Sequence, residues 1–70
     1  MKKDLKMFYV GNLNNRTVIF DSNLRKFIEK LNNIEPASRN YQYYCRQFGK
    51  SSEVVYLSPE DKVYVLQRIV

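Results

Sequence analysis

The chain has 70 residues, 44% of them hydrophobic and 14% aromatic, with a net charge of +5 and no histidine. That is one domain's worth of chain, near the size at which a single core only just outweighs chain entropy. Two Gly and two Pro argue against disorder, a lone Cys excludes an internal disulfide, and no apolar run approaches the ~18 residues of a membrane span.

The N-terminus, Met1-Lys2-Lys3-Asp4-Leu5-Lys6, is basic like the start of a signal peptide, but no apolar segment follows it. A cytoplasmic protein is therefore expected. The abundance of Asn, Lys, Tyr and Ile suits an AT-rich coding sequence, as in many low-GC bacteria and their phages.

Leu5–Val10 and Arg16–Phe20 read as strands, being rich in β-branched and aromatic residues. Gly11-Asn12-Leu13-Asn14-Asn15 between them reads as the hairpin loop, because these residue types tolerate positive φ. Asp21-Ser22-Asn23 supplies N-cap candidates for a helix whose apolar face is Leu24, Phe27, Ile28 and Leu31 at i, i+3, i+4, i+7. Arg25, Lys26, Glu29 and Lys30 take the opposite face, with Arg25 and Glu29 spaced to pair.

Asn32–Glu35 closes that helix, and Pro36 suits the first turn of another. Ala37, Tyr41, Tyr44, Cys45 and Phe48 recur at i, i+4, i+7, i+8, i+11, which predicts a second helix over 37–48 with Gly49 as its C-terminal cap. Glu53–Leu57 and Lys62–Val70 then flank Ser58-Pro59-Glu60-Asp61, whose first two residues fit a type I turn. Tyr56 and Tyr64 are expected to pack on each other as cross-strand neighbours. The fold class is α+β: an N-terminal hairpin, two consecutive helices in a helix-turn-helix-like arrangement, and a C-terminal hairpin, with one small antiparallel sheet packed on the helices.

Absences narrow the chemistry. Without His the commonest general base and metal ligand is gone, and one Cys cannot build a zinc site. Cys45 is expected to be a small buried hydrophobe. Asp21 reads as a cap, and Glu60 and Asp61 as turn residues. Neither Gly sits in a phosphate-loop pattern. The expectation is a non-catalytic protein with no cofactor and no metal.

Charge is unevenly spread. Residues 36–52 hold Arg39, Arg46 and Lys50 with no acid, and also Tyr41, Tyr43, Tyr44 and Phe48. Cations with aromatic rings are the composition of nucleic-acid surfaces. On the second helix Arg39, Tyr43, Arg46 and Lys50 recur at i, i+4, i+7, i+11 with Gln42 beside them, opposite the apolar stripe. The cations would set phosphates, Tyr43 would stack on or hydrogen-bond a base, and Gln42 could read an adenine edge. Two helices joined by a turn and followed by a hairpin resemble a helix-turn-helix with a wing, which implies DNA more readily than RNA.

Phe8-Tyr9-Val10-Gly11-Asn12-Leu13 resembles the first-strand motif of RNA recognition motifs, and Arg39, Tyr41 and Tyr43 are similar to part of that family's other motif. The resemblance would make Tyr9, Tyr41 and Tyr43 stacking rings. The chain departs from that family in leaving no room for a strand between residue 31 and Arg39 and in ending on a hairpin. The expected function is a nucleic-acid-binding accessory or regulatory protein. The alternative is a protein-binding module or small inhibitor that docks on an acidic surface of a host or defence enzyme, and either form has room for a homodimer.

Overall fold

The computed structural model describes residues 7–69. In chain order they form β1 (Phe8–Leu13), β2 (Arg16–Asp21), α1 (Leu24–Ile34), α2 (Tyr41–Lys50), β3 (Glu53–Leu57) and β4 (Val63–Ile69). The strands make one antiparallel sheet in the order β2-β1-β4-β3. Both hairpins thus join a single sheet through the β1–β4 pairing, and the helices cover one of its faces.

The first hairpin is tighter than its composition suggests. Residues 5 and 6, expected to open the first strand, lie outside the described residues, and the strand runs on to Leu13. The loop shrinks from five residues to Asn14-Asn15, both left-handed with φ of 54° and 64°, as a two-residue hairpin turn requires. Gly11 is a strand residue between Ile19 and Leu66. A Cβ on it would lie 3.2 Å from Leu66 Cδ2 and 3.3 Å from Ile19 Cδ1, so glycine serves packing there and no turn. Just beyond it the β1–β2 register slips, Gly11 facing Ile19 and Asn12 facing Thr17, which leaves Val18 as the extra residue of a bulge.

Asn23 caps α1, its side chain accepting the Lys26 N–H at 3.1 Å. Asp21 is no cap: its carboxylate accepts the Asn23 N–H at 2.9 Å and pairs with Lys30 at 3.0 Å. Glu29 makes no ion pair with Arg25; the only ion pairs among the described residues are Asp21–Lys30 and Glu60–Lys62.

The second helix begins later than expected. Residues 36–37 form a turn, Ala37 is exposed and α2 starts at Tyr41. Asn40 decides this start by accepting the Tyr43 N–H at 3.0 Å, a stronger stop than Pro36 is a start. Asn32 pins the connection by donating to Ser38 Oγ and to the Arg39 carbonyl. Gly49 is not a cap either: α2 runs through Lys50 to Ser51, whose N–H returns to the Gln47 carbonyl.

The second hairpin turns as its sequence indicates. The Asp61 N–H closes on the Ser58 carbonyl at 3.0 Å, Asp61 has φ 65°, and Ser58 Oγ accepts the Glu60 and Lys62 N–H groups. That is a type I turn followed by a left-handed residue.

The core lies between the helices and the sheet: Tyr9, Ile19, Phe27, Ile28, Leu31, Tyr44, Phe48, Val54, Tyr64 and Leu66. Tyr9 sits edge-on to Phe48 and tilted on Phe27, with centroids 5.4 and 5.8 Å apart. Tyr56 and Tyr64 do pack together, at 6.0 Å. One polar tie crosses the interior, the Tyr64 hydroxyl donating to Glu35 Oε2 at 2.7 Å. It locks β4 to the end of α1, where the connection to α2 begins. Arg68 extends from β4 to donate to the Phe48 carbonyl at 2.7 Å, satisfying a C-terminal carbonyl of α2.

Candidate nucleic-acid interface

At about 100° per residue, Tyr41, Tyr44 and Phe48 fall on one side of α2 and define its inner stripe. Tyr44 and Phe48 are buried and Tyr41 half-buried. Arg46 and Lys50 fall opposite that stripe, flanked by Gln42 and Tyr43. Arg46, Lys50 and Gln42 are exposed, and Tyr43 is half-buried. The stripe is narrower than expected. Cys45 falls about 60° past Phe48, beyond the reach of the sheet, and is exposed. It is not the buried hydrophobe that its spacing indicated.

Arg39 precedes the helix and is exposed, yet its guanidinium reaches back over the Tyr43 ring, 4.8 Å from the centroid. At the same end of α2 the Arg25 guanidinium, from α1, lies 4.3 Å over the Tyr41 ring. Stacking of this kind contributes about 0.5–1 kcal/mol at exposed sites and orients the planar cation. Tyr43 also presses edge-on against Tyr44 at 5.0 Å. One face of its ring is therefore taken by Arg39, and the contact with Tyr44 ties it to the core.

The sequence placed five residues at this site. The structure brings Arg39 and Tyr43 into contact, and sets Gln42, Arg46 and Lys50 along the outer side of the helix. Arg25 was missed as a member, since nothing in its own helix shows that its free side meets the start of α2.

The helical layer, residues 24–50, holds six cations (Arg25, Lys26, Lys30, Arg39, Arg46, Lys50) against Glu29 and Glu35, a net +4. Glu35 is buried beneath Tyr64, and of the six cations Lys30 alone has an acidic partner among the described residues. The hairpins, residues 7–23 and 51–69, together carry −1. Among the described residues the net positive charge thus lies with the helical layer.

No protein-family model, curated protein or solved structure matches this chain.

The three rings of the RNA-recognition resemblance are not gathered on a platform. Tyr9 points into the core from the sheet, while Tyr41 and Tyr43 sit on α2. The C-terminal hairpin does not stand off as a separate wing: β4 is bonded to β1 on one side and β3 on the other. The connection between the helices spans residues 35–40, against the three or four residues of a helix-turn-helix turn.

Among the described residues no group of three or more Cys, Asp or Glu side chains converges as metal ligands would, and no helix is long and apolar enough to cross a membrane. Burial pushes the Tyr44 and Tyr64 phenols up to about 12, the Tyr64 shift reinforced by its bond to Glu35. The Tyr44 hydroxyl is buried without a partner of good geometry, although the Arg39 backbone opposes part of its shift. Both phenols are enclosed by core side chains, so their shifts belong to packing.

Proposed function

We propose that the protein binds nucleic acid through the outer side of its helical layer, with Arg46 and Lys50 at the centre, Arg39 and Arg25 at the start of α2, and Gln42 beside them. The observation that carries this reading is the net +4 of that layer, whose cations project into solvent with only Lys30 ion-paired among the described residues. Arg25 and Arg39, held over the Tyr41 and Tyr43 rings, meet phosphates at a smaller entropic cost than free side chains, because their geometry is fixed before contact.

The contacts are mostly to the backbone. Tyr43 carries Arg39 on its ring, which leaves Gln42, for an adenine edge, and Arg46, for a guanine, as the side chains able to read a base. Binding is accordingly weakly sequence-selective, strongly salt-dependent, and suited to an accessory or regulatory protein acting on DNA.

The test is a mobility shift with random duplex DNA and with single-stranded RNA, for the wild type and for the Arg39→Ala/Arg46→Ala double variant. A retarded complex that the double change weakens at least tenfold supports the reading. Equal affinity of the two proteins removes this face from consideration. Absence of any nucleic-acid complex at low salt turns the same cations toward an acidic protein surface.

A further inference from the structure

The face of the sheet turned away from the helices is covered by nothing among the described residues, and it is apolar. Side chains alternate across a strand, so Tyr9, Val54, Tyr64 and Leu66 face the helices while their neighbours face outward. Phe20, Val55 and Leu57 are 52%, 58% and 60% exposed. Val63 and Ile69 are also exposed. Among the described residues Glu53, at the edge, is the one charged side chain that alternation directs to this side, and none of their cations points here.

This face has relief at both ends. At one end Phe8 stacks on Phe20, with centroids 5.4 Å apart, forming a ridge. At the other end a shallow depression of about 510 Å³ is lined by Asn12, Asn14, Asn15, Val63, Val65 and Gln67. Phe8 and Asn12 lie on one strand, so ridge and depression are about 13 Å apart along it.

We propose that the occupant of this face is a second copy of the chain, packed sheet to sheet about a two-fold axis lying between the faces and across the strands. That operation exchanges the two ends, so each copy's Phe8–Phe20 ridge enters the other's depression, and the contact closes on itself. The near-absence of charge leaves two basic chains free of direct repulsion at the contact.

The area suits a weak, reversible pair. Four strands about 4.8 Å apart and six residues long at about 3.3 Å each give a footprint near 400 Å². Two such footprints sum to about 800 Å², and the relief of a pleated, side-chain-bearing surface adds to this, which places the contact at the low end of specific interfaces. The basic helical layers then face outward on both sides of the sandwich.

Sedimentation equilibrium on the full chain tests this. The expected mass is that of two 8.4 kDa chains at tens of micromolar. Phe20→Asp removes the ridge twice per dimer and is expected to raise the dissociation constant on the order of 100-fold. Its far-UV circular dichroism should stay unchanged, since Phe20 is outside the core. Val63→Arg, at the opposite end, should dissociate the pair equally if ridge meets depression. Should either variant fail to fold, Val55→Lys on β3 reads the same face. A wild type that stays at one-chain mass up to millimolar concentration overturns the proposal, whether or not another protein binds this face. So does a dimer that folded Phe20→Asp and Val63→Arg variants leave intact.

Discussion

Replacing Tyr64 by Phe isolates the one buried side-chain hydrogen bond among the described residues. The Tyr64 hydroxyl donates to Glu35 Oε2 at 2.7 Å, and both residues are nearly sealed from solvent, at 3% and 6% exposure. The substitution keeps the ring and its volume, so the packing against Tyr56 persists, but the buried carboxyl group loses its donor. An orphaned buried acceptor costs about 1–3 kcal/mol. In a domain of this size each kcal/mol moves Tm by about 4–8 °C, so a fall of roughly 5–20 °C is expected. Tyr44→Phe is the internal contrast, since its hydroxyl is buried without a partner of good geometry and its removal should stabilise by up to about 1 kcal/mol. Urea unfolding followed by far-UV circular dichroism measures both. A Tyr64→Phe variant as stable as wild type, or a Tyr44→Phe variant destabilised by the same substitution, would refute this account of the core.

High pH should unfold the protein between about pH 10 and 12, because Tyr44 and Tyr64 ionise at about 12 when folded against 10 when free. Their contribution is complete below pH 10 and is lost as pH rises through the folded values, which a tyrosinate absorbance titration run beside circular dichroism will show as one coincident transition. Gly11→Ala should cost on the order of 1 kcal/mol, since its Cβ would press on Leu66 and Ile19 at 3.2 and 3.3 Å and overpacking outweighs the gain in chain entropy; a melting curve at or above that of wild type contradicts this. Cys45 is exposed on α2 and should react with a thiol reagent in the native protein as fast as in urea, whereas strong native protection would place it in the core.

The elements of the fold were legible where one signal acted alone. The period of Leu24, Phe27, Ile28 and Leu31 has no competing interpretation, and Ser58-Pro59 names its own turn. Misreadings arose where a residue type serves two purposes. Gly11 has the composition of a loop residue but is glycine because Leu66 and Ile19 crowd it across neighbouring strands, a distant fact that local sequence does not carry. Pro36 and Asn40 both signal a helix start, and the hydrogen-bonding side chain of Asn40 won over the fixed φ of Pro36.

The candidate site was half legible for similar reasons. Spacing put Gln42, Tyr43, Arg46 and Lys50 on the outer side of α2. It could not show that Arg39 lies off the helix, that its guanidinium covers Tyr43, or that Arg25 of α1 joins them. The apolar outer sheet face did leave a trace: Val18-Ile19-Phe20, Val54-Val55-Tyr56-Leu57 and Val63-Tyr64-Val65-Leu66 are continuous apolar runs. Runs of that kind belong to strands with both faces covered.

The central claim, that the helical layer meets phosphates, is tested most directly by the slope of log affinity for duplex DNA against log salt concentration. Four cations in contact predict a slope near −3.6, and Arg46→Gln/Lys50→Gln should bring it toward −1.8, at about 0.9 per phosphate. A wild-type slope near zero, or one that the double substitution leaves unchanged, would show that these side chains do not face a polyanion.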